Sequence, residues 1–181
     1  PGGWPFMDML ITGGEGCSPF SNGPHCPGQT DEEYKTAFAM WTIAQSPLII
    51  ASDVRNLTSV MKQTLLNKPL IDLHQSTKTA PGRHLGYWHC SEILMCEIWG
   101  REIETDSTSW MIVLLNRGKK QHNITLDWKV IGFQDSELAN LYDIWNNSII
   151  IGRNISTSYT AMVPSHGTSV IQITKVPVRG E

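Results

Sequence analysis

The chain is poor in charge. Only 17% of its 181 residues are Asp, Glu, Lys or Arg, and its longest basic run is the pair Lys119-Lys120. With 14 basic against 17 acidic residues and a net charge of -3, it has no electrostatic footprint for nucleic acid or an anionic membrane, and neither partner is expected. Apolar runs are short as well. None approaches the roughly 18 residues that cross a bilayer, so no transmembrane helix is expected and the chain reads as soluble or lumenal. Instead of the charged-then-apolar pattern of a secretory leader, the first residues form a turn motif, PGGW, and the chain is expected to be the downstream piece of a longer protein.

Cysteine is scarce too, and its spacing excludes a common alternative. Cys17 and Cys26 have eight residues between them and Cys90 and Cys96 have five, neither matching the short ligand spacings of structural zinc. No metal and no cofactor is expected. Four cysteines permit three disulfide connectivities, of which the two local pairs are favoured because each closes a short loop. Four N-x-S/T sequons, at Asn56, Asn123, Asn146 and Asn154, accompany them. Sequons and paired cysteines together point to the secretory pathway, hence a secreted or lysosomal protein.

What is present is core-forming material: 40% hydrophobic residues, with seven tryptophans. The opening stretch, PGGWPFMDMLITGGEG, sets Asp8 among Trp4, Phe6, Met9 and Leu10. A carboxylate so placed is expected at the edge of a buried element, either as a working acid or as an Asx-type cap of the turn. A Gly/Pro-rich loop over 12–29 follows, with His25 inside it and a Cys17–Cys26 bridge to hold it.

Thr30 to Glu33, TDEE, reads as a capping box opening a helix whose stripe is Tyr34, Phe38, Trp41 and Gln45, ended by Pro47. Leu48 to Ala51 then reads as a parallel strand buried on both faces, with Asp53 at its C-terminal end as a candidate acid or, beside Arg55, a loop-bracing one. A second helix is expected from about Thr58 to Asn67, terminated by Pro69. Asp72 and His74 could share a face as a dyad only with a third partner. The polar stretch STKTAPG over 76–82 reads as a domain boundary. Beyond it eight short strands are expected, near 85–90, 93–99, 110–116, 123–127, 138–143, 149–153, 159–163 and 169–174, forming an antiparallel sandwich. Glu92, Glu97, Glu102 and Glu104 read as a solvated strand face.

GGWPFMDML, the helix ending FAMWTIAQSPLIIASDVRNLT and the following LLNKPLI resemble the α-galactosidase (melibiase) family of retaining glycoside hydrolases. EIWGREI and WMIVLLNRG look like two strands of the small sandwich that follows its barrel. The resemblance implies α/β plus all-β: residues 1–78 as the last strand–helix units of a (β/α)8 barrel and residues 79–181 as an antiparallel β-sandwich. It implies an exo-glycosidase acting on terminal α-galactosyl groups, with carbohydrate as its partner, and allows a homodimer. The family's two catalytic aspartates lie on earlier strands than any in this sequence, so no catalytic residue is assigned here and the 181 residues alone are expected to be inactive.

Asp8 and Met9 match a family position that lines the pocket for the terminal sugar, and the resemblance makes them substrate contacts. Two departures stand out. Pro5, Phe6 and Met7 replace the family's Asn, Asp and Pro, and His74-Gln75-Ser76 replaces Asn-Gln-Asp. The competing functions are an α-N-acetylgalactosaminidase with the same fold, a non-catalytic sugar-binding protein using Trp4, Asp8, Trp88 and Trp99 as a platform, and a purely structural sandwich.

Overall fold

The computed structural model describes residues 3–12, 29–88 and 95–177. The loop at 13–28 with Cys17, Cys26 and His25 lies outside these residues, as do Cys90 and Glu92.

Helix α1 spans Asp31–Ile43 and starts as the TDEE motif requires. Thr30 Oγ1 accepts from the Glu33 backbone N–H at 3.3 Å, and Glu33 Oε2 accepts from Thr30 N–H at 2.8 Å. Two N–H groups that the first turn leaves without helical partners are thereby satisfied. The helix ends before Pro47, not at it. Gln45 adopts a left-handed φ of 53°, with Gln45 N–H bonded to Thr42 O and Ser46 N–H to Trp41 O, each at 3.1 Å. This is a Schellman ending, usually built on glycine. Gln45 holds it because its buried side-chain amide donates to Ser76 O at 2.6 Å.

Helix α2 spans Ser59–Leu65, and α3 spans Lys68–Gln75. Pro69 therefore does not terminate the preceding helix. It sits in the first turn of α3, where its missing N–H costs nothing, and Asn67 caps that turn by accepting from Leu70 N–H at 3.0 Å.

Eight strands follow: β1 Arg83–Trp88, β2 Cys96–Glu102, β3 Ser109–Asn116, β4 His122–Asp127, β5 Ala139–Asp143, β6 Ile149–Ile155, β7 Ser158–Val163 and β8 Thr168–Lys175. Each strand in the expected series has its counterpart, within a few residues at the ends. Six form one antiparallel sheet in the order β1-β2-β3-β8-β5-β6, and β4 pairs with β7 in a second. Strand β3 is buried throughout because both its faces are covered. Trp110, Ile112 and Leu114 point between the sheets with Ile124, Leu126 and Trp128, whereas Met111 and Val113 meet Phe38, Ile43 and Leu70 of the helical layer. A strand that serves two cores must be apolar at every position, which is why WMIVLL shows no alternation.

Three expectations fail here for one reason, namely that burial is set by neighbours outside the local sequence. Leu48 to Ala51 is not a strand buried on both faces: it makes a single parallel bridge, Leu10 to Ile50, and Ile49 and Ile50 remain 43% and 42% exposed. Among the described residues no further strand pairs with either segment. Asp8 is exposed rather than tucked at a buried edge, since Trp4, Phe6 and Met9 around it are exposed as well. Glu97, expected in water, is buried, and its charge is met by Arg117 Nε at 2.6 Å and Trp99 Nε1 at 2.7 Å.

The turn between β7 and β8 clasps α1. His166 Nδ1 lies 2.8 Å from Glu33 Oε1, and Thr36 Oγ1 donates to His166 O at 2.8 Å. The Thr30 backbone N–H, and after it His166, hold the Glu33 carboxyl below its ordinary 4.5. A depressed carboxyl contributes stability above its unfolded pKa and loses it as pH falls through the folded one. Glu33→Gln keeps the cap geometry and removes the charge. Urea unfolding should therefore show a stability gap between wild type and variant at neutral pH that closes on acidification below about 4.5.

Candidate functional site

The opening segment is held by its backbone. Ser46 Oγ accepts from Met7 N–H at 2.8 Å, Trp41 Nε1 donates to Asp8 O at 3.3 Å, and Leu10, fully buried, exchanges two bonds with the second strand segment, to Ile49 O at 2.7 Å and from Ala51 N–H at 2.9 Å. Ser52 Oγ ties the same two segments further along by donating to Thr12 O. Asp8 itself has φ 67°, a left-handed conformation that Asp tolerates better than most residues. The chain is thus fixed on both sides of Asp8 while its side chain stays in water. Among the described residues no N–H, hydroxyl or cation engages the Asp8 carboxylate, so the turn-capping role has no support there. Met9 beside it is 47% exposed. A free acceptor next to an apolar wall, on a pinned backbone, is suited to binding a polyhydroxylated ligand.

The other acids are accounted for locally. Asp53 accepts from Arg55 N–H at 3.0 Å and pairs with its guanidinium at 2.8 and 2.9 Å, and that pairing holds its carboxyl below the usual range. It braces a loop. Asp72 pairs with Lys68 at 2.7 Å while His74 Nε2 lies 2.8 Å from Ser46 O, so the two form no dyad. Among the described residues no group of three His, Cys, Asp or Glu side chains converges as a metal site. Trp88 packs against the inter-sheet core and Trp99 against the helical one, on opposite faces of the large sheet, so they make no common stacking platform. Asn123, Asn146 and Asn154 are exposed. Cys96 is disulfide-bonded, with its partner outside the described residues.

Sequence reasoning missed the polar joint that carries this segment. Arg101 of β2 is 1% exposed, and its Nη2 donates to Leu73 O at 2.6 Å and Ser76 O at 3.3 Å, the carbonyls that end α3. Burial pulls its guanidinium down to about 10, still charged at neutral pH. Gln45 and His74 complete the joint and present Ser46 to the opening segment. The signal was an arginine inside an apolar strand, EIWGREI, where a buried cation needs acceptors. A cleft of about 530 Å³ between α1 and the sheet is lined by Met7, Trp41, Arg117 and His166 but by neither Asp8 nor Met9. It lies beside the pinned segment, apart from Asp8.

Two segments joined by a parallel bridge, with helices packed on an antiparallel sandwich, fit the end of a (β/α)8 barrel and an appended domain. Comparison with known proteins agrees. Residues 1–76 match the family model described as alpha galactosidase A, and residues 95–173 match the alpha galactosidase C-terminal beta sandwich domain. The chain belongs to the α-galactosidase (melibiase) family.

Among curated relatives, alpha-galactosidase 3 of Arabidopsis thaliana is 30% identical over 96% of this chain and 36% of its own length. Alpha-galactosidase mel1 of Schizosaccharomyces pombe is also 30% identical, over 98% of this chain and 37% of its own. The crystal structure of alpha-galactosidase I from Mortierella vinacea superposes with a TM-score of 0.76 at 26% identity, covering 95% of this chain and 40% of that one. A β-L-arabinopyranosidase from Geobacillus stearothermophilus shares the fold, with a TM-score of 0.79 at 19% identity over 98% of this chain and 38% of that one. The chain spans about a third of the length of the curated relatives it matches.

Proposed function

We propose that these residues belong to a secreted or lysosomal retaining exo-glycosidase that removes terminal α-galactosyl groups. Residues 1–78 would end its barrel and 79–181 form its sandwich. The exposed Asp8, without a partner among the described residues and on a backbone held by Ser46, Trp41 and the Leu10–Ile50 bridge, carries this reading. The ionised carboxylate accepts hydroxyl hydrogens of the terminal sugar and orients its ring, and the Met9 side chain supplies an apolar wall.

The chemistry asks for two further carboxylates about 5–5.5 Å apart, one attacking the anomeric carbon and one protonating the leaving oxygen and then activating water. By family resemblance, neither corresponds to a residue of this chain. The relatives' names favour galactose over N-acetylgalactosamine. Exposed sequons at Asn123, Asn146 and Asn154, with the bonded Cys96, support passage through the secretory pathway and, with it, the Cys17–Cys26 and Cys90–Cys96 pairs and a glycan at Asn56.

The complete protein should hydrolyse a nitrophenyl α-galactoside and release α-galactose as the first anomer seen by proton NMR. The 181 residues alone should leave it intact. First release of the β-anomer, preference for the N-acetylgalactosaminide, or turnover by the 181-residue chain would each overturn this reading.

A further inference from the structure

Among the described residues the large sheet has two edge strands, and they differ in how much apolar surface they expose. At one end, β1 carries Arg83 and His84, and its pairing with β2 shifts register between His84 and Gly86. Charge and irregularity of this kind keep an edge from adding another strand. At the other end, β6 pairs with β5 alone among the described residues, and its first three residues are Ile149, Ile150 and Ile151, exposed by 54%, 42% and 39%. The strand contains no proline, and its one charge, Arg153, lies in its second half. The β5–β6 pairing shifts register at Ile151 and again between Gly152 and Ile155, so the regular stretch of this edge is Ile149 and Ile150, opposite Asp143 and Tyr142. Ile149 and Ile150, exposed and in regular register on a terminal strand, form a short template for strand addition, with Ile151 extending its apolar surface at the bulge.

Two of the four sequons bracket this template. Asn146 lies in the middle of the five-residue loop, 144–148, between β5 and β6. Asn147 and Ser148 take left-handed φ of 57° and 58°, and Ile149 N–H bonds to Asn146 O at 3.3 Å, closing a tight turn inside that loop. The Asn146 amide donates to Asp143 Oδ2 at 2.6 Å. Asn154 lies toward the other end of β6, exposed and at φ 51°.

We propose that N-linked glycans on Asn146 and Asn154 cover the free edge of β6 and keep its isoleucines from pairing with the same strand of a second copy. The inference rests on the secretory reading above, and the test separates the two. The complete protein, secreted from a eukaryotic host, would be deglycosylated in heavy-oxygen water and mapped by mass spectrometry. Both Asn146 and Asn154 should carry the isotopic mark. Unmarked residues would defeat the glycosylation reading and the shield with it.

If both are marked, light scattering of the natively deglycosylated protein and of the N146Q/N154Q variant should show a mass that rises with concentration to at least double that of the glycosylated form. Ile150→Lys in the same background should abolish the rise, and Asn123→Gln alone should cause none. Equal masses with and without glycans would overturn the shield while leaving the secretory reading intact. So would association that Ile150→Lys does not reverse, or that Asn123→Gln also provokes.

Discussion

Arg101→Ala is expected to destabilise the protein by roughly 3–5 kcal/mol, the combined effect of a buried cavity and lost charge-assisted hydrogen bonds. Arg101 is among the largest fully buried side chains, and its guanidinium spans from β2 to the carbonyls closing α3. It thus joins the helical layer to the sheet and complements the negative end of that helix. Part of its contribution is offset, because Nε and Nη1 are buried without partners among the described residues. Arg101→Met refills most of the volume and removes those two orphaned donors, so about half the loss should be recovered. Urea unfolding followed by tryptophan fluorescence measures both. An alanine variant as stable as wild type would show that the joint is held by apolar packing alone.

Asp8→Asn in the complete protein should lower kcat/KM on an α-galactoside by about 10- to 100-fold, equivalent to losing roughly 1.4–2.8 kcal/mol of charged hydrogen bonding to sugar hydroxyls. Asparagine is chosen because it keeps the shape and tolerates φ 67°, whereas alanine would add backbone strain. The thermal midpoint should therefore stay where it is. A rise in KM accompanied by a fall in kcat locates the contact in both ground and transition states. Unchanged kinetics would leave Asp8 without a role in binding, since no partner among the described residues explains it structurally.

Much of the architecture was legible locally. The TDEE capping box announces α1 because its two reciprocal bonds involve only four adjacent residues. The eight strands were legible because short β-branched runs punctuated by turns such as Asn116-Arg117-Gly118 leave few alternatives. Pro69 misled because a proline disfavours a helix interior and favours a helix start, and the two differ only by the cap at Asn67. Leu48 to Ala51 misled because an apolar run records the burial a strand is suited to, not the neighbours that supply it.

Glu97, Gln45 and Arg101 were illegible for a related reason. Their partners are Arg117, Ser76 and Leu73, 20 to 31 residues away, and no local rule pairs them. Asp8 shows the division most plainly. The sequence by itself determined that a carboxylate stands among apolar residues at the start of a family motif, because residue identity and spacing are all that such a resemblance needs. Only the tertiary structure decided that this carboxylate is exposed, with no partner among the described residues, while its backbone is pinned, because Ser46, Trp41 and Ile49 reach it from 33 to 41 residues away through contacts that exist once the chain has folded.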